Sequence, residues 1–119
     1  MELSQKLQIK PRHKVATLTG SVDQPAALGD GWEMAESPAT ADVVLAFVRL
    51  RADLDTVAAP AITAARDDRL AWIAYPKAGK LGTDLNRDVL RDLLAARGVQ
   101  PVRQVAVDDV WSALRFRPA

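Results

Sequence analysis

Hydrophobic residues along the chain form short runs that predict strands. The segments 15–19, 42–48 and 70–75 are apolar, rich in Val, Ile and Ala, and short enough for single strands. Segments that are apolar on both faces are typical of strands buried inside a parallel sheet. We therefore expect 42–48 and 70–75 to lie side by side, pointing the same way, at the centre of a sheet. A weaker alternation over 32–36 predicts one more strand.

The most regular helical pattern lies in residues 84–97. Apolar positions three and four apart form one stripe, and charged residues occupy the opposite face. Thr83 or Asp84 is expected to cap the start of this helix, and Gly98 suits its end. The pattern predicts an amphipathic helix whose charged face is solvated.

Less regular patterns predict further helices and a hairpin. The segment 50–65 repeats at helical spacing but contains Pro60, so we expect a kink or two abutting helical pieces. A helix of barely two turns is predicted over 23–28. The segments 102–107 and 111–117 alternate apolar and polar residues across a tight turn, which predicts an antiparallel hairpin at a sheet edge.

The order of these elements, β-α-β-β-α-β-α-β-β, predicts the fold class. Helices that alternate with apolar strands are typical of an α/β protein, and we expect a three-layer Rossmann-like architecture. Its mostly parallel sheet would end in the antiparallel β-hairpin, and right-handed crossovers would place helices on both faces. With 119 residues, 49% of them hydrophobic, the chain suits a single domain over 1–119. Residues 1–13 are expected to form an irregular, solvated N-terminal arm.

Composition and charge exclude several classes of function. The 16 basic and 15 acidic residues leave a net charge of +1, which argues against a nucleic-acid partner. Cysteine is absent, so thiolate chemistry and disulfides are excluded. No apolar run suits a membrane span or a signal peptide, so we expect a cytoplasmic protein with no membrane partner. The one histidine, His13, gives neither a catalytic triad nor a metal cluster, and no cofactor or metal is predicted.

The loop 76–87 carries the candidate chemistry because it follows the carboxyl end of a predicted central strand. In open α/β sheets, ligands bind beyond these ends. The candidate ligand-binding residues are Arg49, Lys77, Lys80, Thr83, Asp84 and Arg87. Cationic groups that converge near a helix start favour a small anion. In the alternative, which the residues favour more, Asp84 only caps the helix and pairs with Lys77 or Arg87.

Nucleotide-binding motifs do not fit this chain. The segment 19–23, after the first strand, holds a single glycine, and no G-x-G-x-x-G occurs. The loop 78–83 fails the P-loop pattern, because Ala74 stands where a glycine is required and Leu81 stands where Ser or Thr must hold magnesium. No nucleophile and base pair is identified, so a non-catalytic protein is favoured over an enzyme.

Four motifs resemble an uncharacterised bacterial family called "domain of unknown function 3052". They are Asp42-Val-Val-Leu-Ala-Phe-Val-Arg49, Trp72-Ile-Ala-Tyr-Pro-Lys77, Thr83-Asp-Leu-Asn-Arg-Asp88 and Val107-Asp-Asp-Val-Trp-Ser-Ala-Leu-Arg-Phe116, with a weaker match at Lys10-Pro11 and Val15. This resemblance covers most of residues 10–117 and implies no activity. The end of the chain is also similar, at the level of fold, to class I methyltransferases, which finish with a strand, a helix and an antiparallel hairpin.

Three hypotheses for the function follow. The first is a non-catalytic module that binds a small anionic ligand or a protein partner at the 76–87 loop. The second is a reduced methyltransferase-like enzyme that binds S-adenosylmethionine. The third is a structural protein that associates with itself through the C-terminal hairpin, because exposed strand edges recruit partners. In that case Arg103, Arg115 and Arg117 are the residues expected to protect the edge.

Overall fold

A computed structural model of the chain describes residues 3–19, 33–77 and 79–119. The helices and strands are α1 (Leu3–Lys6), β1 (Lys14–Leu18), β2 (Glu33–Met34), β3 (Val43–Phe47), α2 (Ala59–Arg66), β4 (Leu70–Pro76), α3 (Arg87–Ala95), β5 (Val99–Ala106) and β6 (Trp111–Pro118). Short 3₁₀ segments span Pro38–Thr40, Arg51–Leu54 and Lys80–Gly82. The helix predicted over 23–28 lies outside the described residues.

The strands form one six-stranded sheet in the order β2-β1-β3-β4-β6-β5. Strands β2, β1, β3 and β4 are parallel, and Leu45 of β3 lies opposite Trp72 of β4. All five residues of β3 are buried, because this strand has a parallel neighbour on each side and a core on each face. The prediction that the two most apolar strands are parallel neighbours at the centre of a mixed α/β sheet is confirmed.

The predicted C-terminal hairpin is confirmed, and it lies at one edge of the sheet as expected. Strand β6 is antiparallel to both of its neighbours and lies between β4 and β5. Within the hairpin, β5 is therefore the edge strand, and its pairing with β6 shifts register between Pro101 and Arg103. The apolar residues of β6 explain the inner position, because Ala113 packs in one core and Leu114 in the other.

The two longer helices lie on the same face of the sheet. Ile62 of α2 and both Leu90 and Leu94 of α3 belong to one core with the residues of β3, β4 and β6 that face them. The pattern over 50–65 divides as predicted, into a 3₁₀ segment that ends at Leu54 and a helix with Pro60 in its first turn, where the missing N–H costs nothing.

Helix α3 begins later than the sequence indicated. Its N-cap is Asn86, whose Oδ1 accepts a hydrogen bond of 2.9 Å from the N–H of Val89. The prediction that Thr83 or Asp84 caps this helix is wrong, because both side chains bind backbone groups of other segments. Gly98, with φ +84°, makes the turn from α3 directly into β5.

The N-terminal segment packs against the opposite face of the sheet, where an irregular solvated arm was expected. Leu7 is fully buried and Ile9 nearly so. The indole N–H of Trp72 donates a buried hydrogen bond of 2.9 Å to the carbonyl oxygen of Leu7. Lys10 and Arg12 are exposed as predicted, whereas Lys6 is half-buried and donates a hydrogen bond of 3.4 Å to the carbonyl oxygen of Ala106. The three-layer Rossmann-like part of the prediction stays a prediction, because the connection from β1 to β2 lies outside the described residues.

Candidate functional site

The loops that follow β3 and β4 meet at the carboxyl edge of the parallel strands. The guanidinium of Arg49 donates a hydrogen bond of 3.0 Å from Nη1 to the carbonyl oxygen of Leu81. The hydroxyl of Thr83 donates to the carbonyl oxygen of Arg49 and accepts a bond of 3.0 Å from the N–H of Leu85. Arg49 and Thr83 are therefore brought together as predicted, but each of them is holding the loop in place.

Lys77 and Lys80 stand at the two ends of a tight turn. The N–H of Lys80 donates to the carbonyl oxygen of Lys77 at 2.9 Å, and the N–H of Lys77 donates to Val110 at 2.7 Å. Lys77 is half-buried and Lys80 is exposed. Within residues 3–19, 33–77 and 79–119, neither ammonium group has a hydrogen-bond or ion-pair partner. Their charges are therefore available to a ligand.

The nearby carboxylates are occupied by backbone groups. Asp53 accepts hydrogen bonds from the N–H groups of Arg49 and Leu50, at 3.1 and 3.0 Å. Asp84 accepts a bond of 2.9 Å from the N–H of Arg51, and its Oδ2 lies 3.9 Å from the Arg51 Nε. The interpretation in which Asp84 pairs with Lys77 or Arg87 is thus wrong. Asp84 joins the loop to the 3₁₀ segment that follows β3.

Arg87 lies in the first turn of α3 and points into solvent. Its Nε is 3.7 Å from the Oδ1 of Asp88, a pair in which both side chains are more than half exposed. A pair of this kind contributes little stability, because water screens it. Arg51, the first residue of the 3₁₀ segment after β3, pairs with Asp84 as was expected of Arg87, and no pattern in the sequence distinguishes these two arginines.

The backbone of this loop is left-handed at several positions. Gly79, Leu81 and Gly82 have φ values of +73°, +54° and +67°. Glycine adopts this region freely, but leucine rarely does. A Cβ on Gly82 would lie 3.7 Å from the Arg49 Nη1, so the loop passes close over that guanidinium. The sequence pattern distinguishes Leu81 only as the residue that breaks a P-loop motif, and it does not predict that this side chain is exposed.

A buried polar cluster lies beneath the loop, on the helix-covered face. Tyr75 and Ser112 are 4% and 5% exposed and face each other across β4 and β6. The Gln104 amide donates to the Tyr75 hydroxyl at 3.4 Å and to the Ser112 hydroxyl at 3.2 Å. Burial raises the pKa of Tyr75 above its ordinary value, and the hydrogen bond with Ser112 partly opposes this. The cluster therefore holds a neutral phenol.

A cavity of about 320 Å³ lies at the opposite, amino end of the strands. It is lined by Ser37, Pro38, Ala39, Pro60, Thr63 and Arg69. The Nη1 of Arg69 donates to the carbonyl oxygens of Pro38 and Ala41 at 2.8 and 2.9 Å. This guanidinium is committed to joining two loops, so the cavity offers a ligand mainly apolar contacts.

Three further findings bear on the class of protein. Within the described ranges, no group of three or more acidic or histidine side chains is placed to hold a metal ion. No helix in that same part of the chain has the length and apolar character needed to cross a bilayer. Comparisons with protein-family models, with curated proteins and with solved structures find no match to this chain. Both resemblances drawn from the sequence therefore stay predictions.

Proposed function

We propose that the protein is a non-catalytic, Rossmann-like module that binds a small anionic ligand at the 76–87 loop. One observation carries the proposal: the ammonium groups of Lys77 and Lys80 are unpaired in the described residues, at the carboxyl edge of the parallel strands. Ligands of open α/β sheets bind at this edge.

The surrounding bonds fix the loop without neutralising it. Arg49 and Thr83 tie the two loops together, and the carboxylates of Asp53 and Asp84 accept backbone N–H groups. A bound anion would meet a preorganised surface, which lowers the entropic cost of binding. Hydrogen bonds to charged groups contribute about 1.5–3 kcal/mol each. Two such bonds give about 3–6 kcal/mol before the cost of association, so we expect inorganic phosphate to bind weakly, with a dissociation constant above about a millimolar.

The proposal is tested by titrating the protein with inorganic phosphate and pyrophosphate and following the backbone amide signals by NMR. We expect saturable shifts in residues 77–87, and a loss of affinity of about tenfold in both Lys77→Ala and Lys80→Ala. Lys14→Ala is the matched control. Lys14 is also exposed, but it lies at the amino end of β1, and its described bond to Asp42 is made by the backbone. Equal effects of all three substitutions, or no saturable shift, would contradict the proposal.

A methyltransferase-like enzyme is the second candidate. The observation that favours it is the order β4, α3, β5, β6 at the end of the chain, with a terminal antiparallel hairpin. This is the order that the similarity to class I methyltransferases implies. Isothermal titration calorimetry with S-adenosylmethionine decides the matter, because the absence of heat at millimolar ligand would remove the candidate.

Self-association through the hairpin is the third candidate, and it rests on the edge position of β5. Arg115 and Arg117 do not guard this edge: they lie on the inner strand β6 and bind Gln8 and Asp68. Pro101 and the register shift that follows it interrupt the edge strand, and interruptions of this kind oppose pairing with another chain. Sedimentation equilibrium tests the candidate, and a monomer at high protein concentration would exclude it.

A further inference from the structure

Leu81 is an exposed apolar side chain in the middle of the cationic loop. It is 51% exposed and belongs to neither core of the protein. It directly follows Lys80, which is joined to Lys77 by the turn. We propose, on the basis of the function proposed above, that the loop binds phosphate monoesters of apolar alcohols. Lys77 and Lys80 would hold the phosphate and Leu81 the apolar group.

The backbone at Leu81 supports a functional reason for a leucine there. Its φ of +54° is costly for any residue with a large side chain. Glycine occupies the other two left-handed positions of this loop, Gly79 and Gly82. A glycine at 81 would remove the strain, and the leucine side chain, which is 51% exposed, gains only part of the stability that full burial would give. Residues with strained backbone conformations cluster at active sites and ligand sites.

The position of Leu81 is fixed by its neighbours. Its carbonyl oxygen accepts the bond from the Arg49 Nη1, and the loop closes at Thr83, whose N–H donates to Lys80 at 3.1 Å. The turn brings the Cα atoms of Lys77 and Lys80 within about 7 Å of each other. Leu81 and the two lysines therefore belong to one short, anchored stretch of the chain, and a short organic phosphate carries its charge at one end and its apolar group at the other.

The affinity expected from the apolar contact follows from the area that it covers. Covering the exposed half of a leucine side chain strengthens binding by about three- to tenfold. Hexyl phosphate should therefore bind about three- to tenfold more tightly than inorganic phosphate. The ratio of the two dissociation constants isolates the contribution of Leu81, because both probes share the phosphate.

The test is to measure both dissociation constants by NMR titration in the wild type, in Leu81→Asn and in Val102→Ser. Asparagine accepts the left-handed backbone, so Leu81→Asn should unfold at the same temperature as the wild type or above it. We expect the ratio to fall to about one in this variant, while the affinity for inorganic phosphate is unchanged. Val102 is the matched control, because it is 47% exposed on β5 and away from the loop, and its substitution should leave the ratio unchanged.

The outcomes separate this inference from the proposed function. Equal affinities for the two probes in the wild type, or an unchanged ratio in Leu81→Asn, would overturn the assignment to apolar phosphate esters and leave the anion site intact. Failure of both probes to bind would overturn both proposals. Binding to vesicles that contain phosphatidic acid, without binding to hexyl phosphate, would overturn the assignment to a soluble ligand.

Discussion

Truncation of Leu7 tests whether the N-terminal segment is part of the folded core. The Leu7 side chain is fully buried against the face of the sheet that α2 and α3 leave uncovered, in one cluster with Phe47, Trp72 and Trp111. Leu7→Ala removes its contacts and leaves a cavity, because the rigid strands cannot move in to fill the space. A solvated arm would make the same substitution harmless.

The expected magnitude is large for a domain of this size. Buried leucine-to-alanine substitutions lower the free energy of unfolding by about 2–5 kcal/mol, out of a total of about 5–15 kcal/mol. The midpoint of thermal unfolding should fall by about 10 °C. Urea unfolding followed by far-ultraviolet circular dichroism gives the free energy. Lys10→Ala, in the same segment but exposed, should change it by less than about 0.5 kcal/mol.

A second substitution separates packing from hydrogen bonding. Trp72→Phe keeps most of the aromatic volume but removes the indole N–H that binds the carbonyl oxygen of Leu7. Loss of this buried hydrogen bond should lower the free energy of unfolding by about 1–3 kcal/mol, because the carbonyl oxygen of Leu7 is left without a donor. The double variant should show coupling, since the two residues are in contact. If Leu7→Ala unfolds like Lys10→Ala, the packing of this segment on the sheet is refuted.

Three further predictions concern single groups. Asn86→Ala should lower the free energy of unfolding by about 1 kcal/mol in urea, because Val89 loses its capping bond; no change would show that the cap does not stabilise α3. The hydrogen bond from Arg117 lowers the pKa of Asp68, so the pair stabilises the fold above the carboxyl pKa of the unfolded chain and loses this effect as the pH falls through the lower folded value. Asparagine accepts the left-handed backbone of residue 68, which has a φ of +59°. The unfolding temperatures of the wild type and Asp68→Asn should therefore converge in acid, and a difference that does not change with pH would contradict the pairing. Burial raises the pKa of Tyr75, the one tyrosine of the chain. The contribution of its neutral phenol to the free energy of unfolding is therefore complete below about pH 10, and it is lost as the pH rises through the pKa of the folded protein. Tyrosinate absorbance should appear at higher pH than in the unfolded chain, and coincident titrations would contradict this burial.

Much of the fold could be predicted from the sequence where burial on both faces leaves an unmistakable pattern. Strands β3 and β4 are continuous apolar segments, and their parallel pairing followed from that property. The start of α3 was predicted wrongly because hydrogen bonds between distant segments determine it. Thr83 and Asp84 have the residue types of helix caps, but Asn86 takes that position because their side chains bind Arg49 and Arg51, more than 30 positions earlier.

The N-terminal segment escaped prediction for a related reason. Leu7 and Ile9 are isolated apolar residues among polar and charged ones. Neither the two-residue period of strands nor the 3.6-residue period of helices detects a segment that packs on a sheet without joining it. The partner that fixes the segment is the Trp72 indole, 65 positions away. The sequence likewise located the candidate loop, because ligands of open α/β sheets bind beyond the carboxyl ends of the strands. It could not show which charged side chains of that loop are already hydrogen-bonded. That depends on backbone N–H groups whose directions only the folded chain defines.

The two ends of the parallel strands differ in how their charged groups are used. At the amino end, Asp42 accepts the N–H of Lys14, and Arg69 is bound to two carbonyl oxygens. At the carboxyl end, Asp53 and Asp84 are also bound to backbone groups. Within the described residues, the ammonium group of Lys14 at the amino end is unpaired as well, but at the carboxyl end two unpaired lysines flank a single turn. Unpaired lysines on a flexible surface would signify little, because most lysines are solvated. Here backbone hydrogen bonds anchor the turn at both ends, and beside it lies a half-exposed leucine in a strained backbone conformation. That combination makes the carboxyl edge, rather than the cavity at the amino end, the better candidate for ligand binding.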